Sequence, residues 1–244
     1  MIERPFAHLD RDESFTTTHW SLVRALGHQG APQAWESLCK AYWYPLYAFV
    51  RRQGCTSHDA QDITQGFFAH LFANNVLASA DACRGRFRNF LLAAVKNYLI
   101  DQNRRQRTAK RGGGCISLSI DADAVEERYQ AEPAVGMTPE DVFDRRWAIT
   151  VLDDALAKLQ QDYVKAGKGA LFERLAPLLA APSSMRDYAD YGEKLGMTQG
   201  AVAVALHRLR ERYRQFVQAE VAQTVSGPEE LRDEMLHLLR VVRT

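Results

Sequence analysis

The apolar positions of this 244-residue chain recur mainly at spacings of three and four residues, which is the period of an amphipathic helix. The clearest case begins at Phe87 and ends at Leu99, where apolar residues at i, i+3, i+4, i+7 and i+8 form one stripe. Alternation of apolar and polar residues, which is typical of strands, is almost absent. The pattern therefore predicts an all-α fold.

A short helix that Thr17 or Thr18 can cap is predicted near the N-terminus. Two longer helices are predicted between it and Phe87. The first begins at Pro32 and is expected to break near Pro45, because proline lacks an amide hydrogen and crowds the preceding turn. The second has Ser57 as its predicted N-cap and continues to about Phe72. Its predicted buried face consists of five apolar residues: Ile63, Phe67, Phe68, Leu71 and Phe72. Its opposite strip is polar and is expected to be exposed: Asp59, Asp62 and Gln65.

The C-terminal half has the pattern of a helix-turn-helix. Thr138 and Pro139 have the form of a capped helix start. Residues 184–216 are interpreted as helix, turn and helix, with Gly196 in the turn and Thr198 as the second N-cap. The predicted buried positions of the second helix are Val202, Leu206, Leu209 and Tyr213. A short C-terminal helix is also predicted, with one apolar side formed by Leu231, Met235, Leu238 and Leu239.

Charge is distributed unevenly, although the formal net charge is only +1. Residues 84–111 contain nine basic residues and one acidic residue, a balance of +8, whereas residues 121–144 contain one basic and eight acidic residues, a balance of −7. Residues 194–214 return to +4. Two basic segments separated by an acidic one indicate two surfaces for a polyanion, joined by a segment that nucleic acid would repel.

Composition excludes several classes of protein. With 46% hydrophobic and 25% charged residues, the chain can bury a core. It has no apolar run near the roughly 18 residues of a membrane span and no apolar stretch of a signal peptide, so we expect a cytoplasmic protein. Four cysteines occur singly, without zinc-ligand spacing, which favours reduced and mostly buried thiols: Cys39, Cys55, Cys83 and Cys115. No cofactor motif is found, so no cofactor is expected.

Two functional classes fit these patterns. A basic helix end at residues 103–107 together with a helix-turn-helix favours DNA binding, since Lys and Arg attract phosphates and a helix fits the major groove. The second class is a helical metal-dependent hydrolase, because His58 and Asp62 are four residues apart, although ordinary surface residues are the simpler interpretation. Three aromatic residues lie among the basic ones and could stack on bases, but their apolar stripe favours core packing: Phe87, Phe90 and Tyr98.

Motifs occur in a fixed order in three parts of the chain: residues 59–68, residues 85–105 and residues 195–202. Together they resemble bacterial RNA polymerase sigma factors of the extracytoplasmic-function (ECF) type. Residues 59–68, Asp-Ala-Gln-Asp-Ile-Thr-Gln-Gly-Phe-Phe, resemble its core-binding helix. Residues 85–91, Gly-Arg-Phe-Arg-Asn-Phe-Leu, and 96–105, Lys-Asn-Tyr-Leu-Ile-Asp-Gln-Asn-Arg-Arg, are similar to its promoter-melting helix. Residues 195–202, Leu-Gly-Met-Thr-Gln-Gly-Ala-Val, resemble its upstream-element recognition helix.

The resemblance implies a non-enzymatic specificity subunit. Its implied partners are the bacterial RNA polymerase core and promoter DNA, with an anti-sigma factor as a further candidate partner. Asp59, Asp62 and Gln65 are implied to face the clamp helices of the largest polymerase subunit. The implied DNA-binding residues lie in two segments: Arg84, Arg86, Asn89, Lys96, Asn97, Arg104, Arg105, Thr198, Gln199, Gly200, Ala203, His207, Arg208 and Arg214. The nearest alternative is a helix-turn-helix regulator that never joins polymerase.

The predicted organisation is two small helical domains joined by an acidic linker. In chain order the parts are an N-terminal tail, 1–17; a sigma-two-like bundle that binds polymerase and opens the promoter, 18–111; an acidic flexible linker, 112–137; a sigma-four-like helix-turn-helix domain, 138–225; and a C-terminal helical extension, 226–244. The recognition helix departs from the family in having Ala203, Val204 and Ala205 where basic or polar residues are common. The extension exceeds a minimal family member and is a candidate regulatory element.

Overall fold

The computed structural model describes residues 32–74, 76–79, 86–108, 122–131, 136–179, 185–225 and 227–243. Nine α-helices lie in these ranges: α1 Pro32–Arg52, α2 Ser57–Ala73, α3 Phe87–Thr108, α4 Ala122–Ala131, α5 Pro139–Lys165, α6 Gly169–Leu175, α7 Met185–Leu195, α8 Gln199–Ala222 and α9 Pro228–Arg243. Two short 3-10 helices are Val76–Ser79 and Ala176–Leu178. The described residues include no strand, so the predicted all-α fold is confirmed there. Within the same ranges, no helix is both long and apolar enough to cross a bilayer.

Helix α1 is continuous through Pro45, so the predicted break was wrong. A proline inside a helix removes one backbone hydrogen bond and crowds the carbonyl one turn earlier, which costs about 3 kcal/mol or more. In α1 this cost is offset by packing, because every residue from 42 to 50 is buried. Burying one large apolar side chain contributes roughly 1.5 to 3 kcal/mol, and this stretch buries several. Tertiary packing therefore overrides the local preference.

Threonine hydroxyls cap the starts of α2 and α5. The Thr56 hydroxyl accepts a hydrogen bond from the Asp59 amide at 3.1 Å, so the N-cap of α2 is Thr56 and the prediction of Ser57 was wrong by one residue. The predicted cap of α5 is confirmed: the Thr138 hydroxyl accepts from the Asp141 amide at 3.2 Å, and the Asp141 carboxylate accepts from the Thr138 amide at 3.1 Å. These reciprocal bonds form a capping box.

Helix α5 lies at the centre of the fold and contacts α1, α6, α8 and α9. The larger hydrophobic cluster contains Tyr42 and Phe49 of α1, Trp147 of α5 and Val221 of α8. A smaller cluster lies around the other end of α5, where Leu159 packs with apolar residues of α6, α7 and α8. The proposed division into residues 18–111 and 138–225 stays a prediction. In the arrangement described, side chains from both segments share the larger cluster.

Part of the acidic segment is helical, so the expectation of an unstructured linker was wrong for α4. The carboxylate of Glu126 accepts hydrogen bonds from Arg51 of α1, with Nη2 at 2.7 Å and Nε at 3.0 Å, and from the Tyr47 hydroxyl. The Arg51 guanidinium also lies 5.0 Å from the centre of the Tyr129 ring. These contacts hold α4 against α1, and the acidic composition alone does not reveal them.

The C-terminal helix α9 packs against α5 and α8. As predicted, Leu238 is buried, and Leu231 and Met235 are partly buried. Leu239 is 55% exposed, so its predicted burial was wrong, because it lies about 100° around the helix from Leu238. The buried side of α9 instead includes the charged residue Glu234, which is 0% exposed.

Two of the four cysteines lie in the described ranges, and both are free thiols as expected. Cys39 is buried, and this burial raises its pKa to about 11. Cys55 is partly buried. Cys83 and Cys115 fall outside the described residues. The two described thiols are therefore structural side chains and show none of the low-pKa environment of a reactive cysteine.

Candidate functional site

Helix α2 presents the predicted polar strip at its surface. Asp59 and Asp62 are exposed, and Gln65 is partly buried. The Thr56 hydroxyl donates to the Asp59 carboxylate at 2.8 Å, which holds this acid in the first turn, where the helix dipole favours negative charge. Asp62 has 62% of its side chain exposed. The strip therefore forms an acidic edge, defined by Asp59 and Asp62, that a basic partner could reach.

A groove of about 760 Å³ lies between this acidic edge and α3. Its lining combines apolar and polar side chains: Gln53, Cys55, Asp59, Asp62, Ile63, Lys96, Leu99, Ile100 and Gln102. Ile100 is 51% exposed, so a large apolar side chain meets water beside the two acids. An apolar floor with an acidic rim suits an amphipathic segment that carries basic residues.

The pair that suggested a hydrolase is widely exposed. His58 Nδ1 and Asp62 Oδ2 are 3.8 Å apart, with side chains 83% and 62% exposed. His70 points elsewhere: its ring centre lies 5.2 Å from that of Tyr98, and its Nδ1 atom lies 2.9 Å from the Asn74 side-chain nitrogen. Among the described residues, no group of three or more His, Cys, Asp or Glu side chains is placed to hold a metal ion. Zinc sites use at least three protein ligands, so this pair alone does not make one.

The predicted DNA-binding residues of α3 differ in exposure. Three are exposed: Asn89, Asn97 and Arg104. Arg86, immediately before α3, and Lys96, within it, are partly buried. Arg84 and the side chain of Arg105 lie outside what the structure describes. The exposed members lie along one polar side of α3, opposite its buried apolar stripe.

Both partly buried bases are paired with acids from the C-terminal half of the chain. Arg86 Nε lies 2.8 Å from Glu234 Oε2 of α9, and Lys96 Nζ lies 2.7 Å from Glu140 Oε1 of α5. The hydrogen bond from Lys96 is the main cause of a lowered pKa of Glu140. Both side chains were predicted to face DNA, and in this arrangement each of them faces an acid of the same chain.

A buried group of charges, which we call the ion-pair cluster, joins α3 to α5 and α9. Arg88 is 3% exposed, and its guanidinium donates to Glu234 through Nε and to Asp144 through Nη1, both at 2.5 Å. The guanidinium also lies 5.1 Å from the centre of the Trp147 ring. His237 Nε2 is 3.1 Å from Asp144 Oδ2. Burial opposes ionisation of Asp144, yet His237 and Arg88 outweigh it and lower the pKa of this carboxyl.

The ion pair between Arg88 and Glu234 was not predicted from the sequence. Each lies on an otherwise buried helix face, Arg88 three residues before Leu91 and Glu234 four residues before Leu238. A buried charge needs a partner because its desolvation is costly. Two charges of opposite sign on two apolar stripes are therefore the signal that could have paired these residues.

The aromatic residues of α3 pack in the core, so the packing interpretation is confirmed. Phe87 is 0% exposed, and its ring lies 5.5 Å from that of Tyr42 in an edge-to-face arrangement and 6.0 Å from that of Phe90. The Tyr98 ring lies 5.6 Å from that of Phe67 in α2. These rings fix α3 against α1 and α2, and thereby orient its polar side outward.

The turn of the helix-turn-helix depends on two glycines. Gly196 has a φ of 64°, a left-handed conformation that side chains disfavour. At Gly192 a Cβ atom would lie only 2.8 Å from the carbonyl oxygen of Met197, whose amide donates to the Gly192 carbonyl at 2.9 Å. The Thr198 hydroxyl then accepts from the Ala201 amide at 3.2 Å and caps α8 as predicted. The turn at Gly196 was predicted, but the close approach at Gly192 was not.

Helix α8 exposes most of the residues predicted to read DNA. The exposed ones are Thr198, Gln199, Gly200, His207, Arg208 and Arg214, whereas Ala203 is partly buried. Arg214 Nη1 lies 3.3 Å from Glu211 Oε2, in a pair whose side chains are 66% and 48% exposed. The predicted inner stripe is confirmed, since Val202, Leu206 and Leu209 are at most 1% exposed. The polar face therefore points away from the core.

The sequence of this chain is similar to known proteins over most of its length. The family model described as "ECF sigma factor" matches residues 21–219. The chain is also 25% identical over 231 residues to a protein named ECF RNA polymerase sigma factor SigE from Mycolicibacterium smegmatis, with 91% of this chain and 79% of that protein covered. No solved structure matches the chain significantly. The family match spans α1 to α7 and nearly all of α8.

Proposed function

The chain belongs to the family of ECF sigma factors, and from this premise we propose which surfaces do the work of such a factor. It is an RNA polymerase sigma factor of transcription initiation and not an enzyme. We assign polymerase binding to the acidic edge of α2, and promoter binding to the polar side of α3 and the exposed face of α8. The observation that carries this assignment is the groove between α2 and α3, because two acids, several apolar side chains and Lys96 line it together.

The acidic edge has the chemistry of a docking surface for a basic helical partner. Asp59 and Asp62 present carboxylates on one side of the groove, and Ile100 offers exposed apolar surface on the other. Charges at the rim steer the partner, while the apolar floor supplies affinity by burial. Gln65, one turn beyond Asp62, extends the polar strip. We propose the clamp helices of the largest polymerase subunit as this partner.

Replacing Asp62 by Arg tests the polymerase assignment. Asp62→Arg should weaken binding to core polymerase by about tenfold or more, since an exposed attraction becomes a repulsion. The matched control is Glu173→Arg on α6, which makes the same charge change at another exposed position. Affinity would be measured with fluorescently labelled protein and purified core enzyme, with circular dichroism to check folding. Equal affinities of the two folded variants would contradict the assignment.

The polar side of α3 is proposed to contact promoter DNA through phosphates and extruded bases. Arg104 is exposed on α3, and the amide side chain of Asn97, about two helical turns earlier, is exposed as well. Each basic side chain that neutralises a phosphate releases a counterion. Removing that side chain therefore makes the affinity for DNA less dependent on salt concentration. In holoenzyme, Arg104→Ala should reduce the salt slope on promoter DNA by about one. Arg174→Ala on α6 is the control and should leave the slope unchanged, whereas an unchanged slope in Arg104→Ala would remove α3 from the interface.

The remaining assignments complete the proposal. Residues 138–225 are proposed to bind the upstream promoter element through α8, and residues 18–111 to bind polymerase and open the promoter. An anti-sigma factor is proposed as a further partner that would compete for the acidic edge of α2. The protein is proposed to act in the cytoplasm, because bacterial polymerase and promoter DNA are found there.

A further inference from the structure

The start of α3 is closed by the C-terminal part of the chain. Arg86 and Arg88 both contact Glu234 of α9, whose side chain is 0% exposed. The amide of Phe87 donates to the carbonyl of Thr224, just beyond α8, at 3.5 Å. One carboxylate therefore holds two arginines at the point where α3 begins, and the backbone joins the same two parts of the chain.

A second contact of the same kind lies farther along α3. Lys96, which is on the proposed DNA side, pairs with Glu140 at 2.7 Å, with both side chains 43% exposed. Two separate acids of the C-terminal half, Glu140 and Glu234, thus face two residues that the proposed function assigns to DNA. A phosphate and a carboxylate accept the same charge-assisted hydrogen bonds from a guanidinium or an ammonium group. Each acid therefore fills a hydrogen-bonding position that a phosphate could otherwise occupy.

We propose that α9 is an autoinhibitory element, in which Glu234 occupies Arg86 and keeps the start of α3 from DNA until α9 is displaced. This inference rests on the proposed function of α3. Glu140 assists by occupying Lys96. Glu234 is 0% exposed and also pairs with the buried Arg88, so its contact with Arg86 is fixed as long as α9 packs against α3. The arrangement described is then the DNA-excluding state of the free protein.

The test compares DNA binding of three forms of the full-length chain. These are the wild type, Glu234→Gln, and Asp233→Asn as a control that removes the same charge from the neighbouring exposed position of α9. The probe is a labelled random-sequence DNA duplex, and its affinity is measured by fluorescence anisotropy at several salt concentrations. Glu234→Gln should bind about tenfold more tightly than Asp233→Asn, with a salt slope steeper by about one, because the released Arg86 neutralises an additional phosphate. Equal affinities and slopes in these two folded variants would overturn the proposal.

Two further variants separate this inference from the function on which it rests. Adding Arg86→Gln to Glu234→Gln should remove much of the gain in affinity, and an undiminished gain would show that Arg86 is not the released group and overturn the proposal. Arg104→Ala tests the DNA surface of α3 independently of α9. If Arg104→Ala weakens binding while Glu234→Gln has no effect, the DNA surface stands and the autoinhibition fails. If neither change has an effect, the DNA assignment of α3 itself fails.

Removing a buried carboxylate can unfold the chain, so a measurement on the wild type provides a second test. Hydrogen exchange of the backbone amides of α9 is followed in the free protein and in holoenzyme bound to promoter DNA. If α9 is displaced, its backbone amides should exchange at least tenfold faster in the complex than in the free protein, because local opening exposes the helix to solvent. Unchanged protection of α9 in the DNA-bound holoenzyme would overturn the proposal whether or not Glu234→Gln folds.

Discussion

Three side chains fix the acidic helix α4 to α1. Glu126 accepts hydrogen bonds from Arg51 and Tyr47, and the side chains of Arg51 and Glu126 are only 20% and 16% exposed. The hydrogen bonds from Arg51 are the main cause that lowers the pKa of Glu126 from its ordinary value of 4.5 to about 2. Because the folded state holds this carboxylate ionised, the pairing stabilises the fold wherever the carboxylate of the unfolded chain is also ionised.

The pairing of Glu126 with Arg51 predicts that its contribution to stability depends on pH. The depressed pKa corresponds to roughly 3 kcal/mol of stability that is fully present above about pH 4.5 and is lost as the pH falls toward 2. Glu126→Gln should therefore be less stable than the wild type at neutral pH, and the difference should shrink at about pH 3. Urea unfolding at several pH values measures it, and the exposed neighbour Glu127→Gln serves as control. A difference that stays constant with pH would contradict the role of Glu126.

Residues were placed on surfaces more accurately than in pairs. Asp59, Asp62 and Arg208 were predicted to be exposed from helical periodicity alone, and they are, whereas the prediction of a buried Phe72 was wrong, since it is 59% exposed. The contact between Arg88 and Glu234 was not predicted, because 146 residues separate them and periodicity carries no information on which helices meet. The pairing of Glu126 with Arg51 was missed for the same reason. Long-range ion pairs are decided by packing, which a local pattern does not contain.

The helices themselves were predicted well where local chemistry decides them. The capped start at Thr138 and the turn at Gly196 follow from hydrogen bonds and backbone conformation within a few residues. Pro45 shows the opposite case, because the burial of α1 overrides a local signal. The helical part of the acidic segment was likewise missed, since its contacts with α1 lie far away in sequence.

The helix-turn-helix leads to a prediction about packing, because α8 has one buried face and one exposed face. Leu206→Ala should lower the free energy of unfolding by roughly 2 to 5 kcal/mol, since Leu206 is 1% exposed and its loss leaves a cavity. Thermal unfolding measures this loss. Arg208 is exposed, so Arg208→Ala should leave the melting temperature nearly unchanged. A comparably destabilised Arg208→Ala protein would show that Arg208 is part of the packing.

The exposed face of α8 leads to a separate prediction about DNA binding. Arg208→Ala should lose roughly 1 to 3 kcal/mol of specific binding if the guanidinium contacts a base edge, and a smaller, sequence-independent amount if it contacts phosphate. Transcription by holoenzyme from promoters with intact and scrambled upstream elements distinguishes these cases. Folded Arg208→Ala protein with undiminished affinity and discrimination would place the recognition surface on another face.

The larger hydrophobic cluster includes side chains from both predicted domains. The larger cluster unites α1 with α5, α8 and α9, whereas the smaller one is confined to the region from α5 to α8. Helix α5 takes part in both, through Trp147 in the larger and Leu159 in the smaller. In this arrangement the N-terminal segment buries much of its apolar surface against the C-terminal one.

Substitution of one residue in each cluster distinguishes shared from separate folding. Trp147 is 1% exposed, and Trp147→Ala should cost roughly 3 to 5 kcal/mol through the cavity in the larger cluster. Since that cluster spans both segments, hydrogen exchange should quicken in α1 as well as in α5. Phe172→Ala, in the smaller cluster, is the matched control and should quicken exchange in α6 and α7 while leaving α1 protected. Unchanged protection of α1 in Trp147→Ala would show that residues 18–111 fold as an independent domain, as the sequence pattern predicts, and that the shared cluster contributes little to their stability.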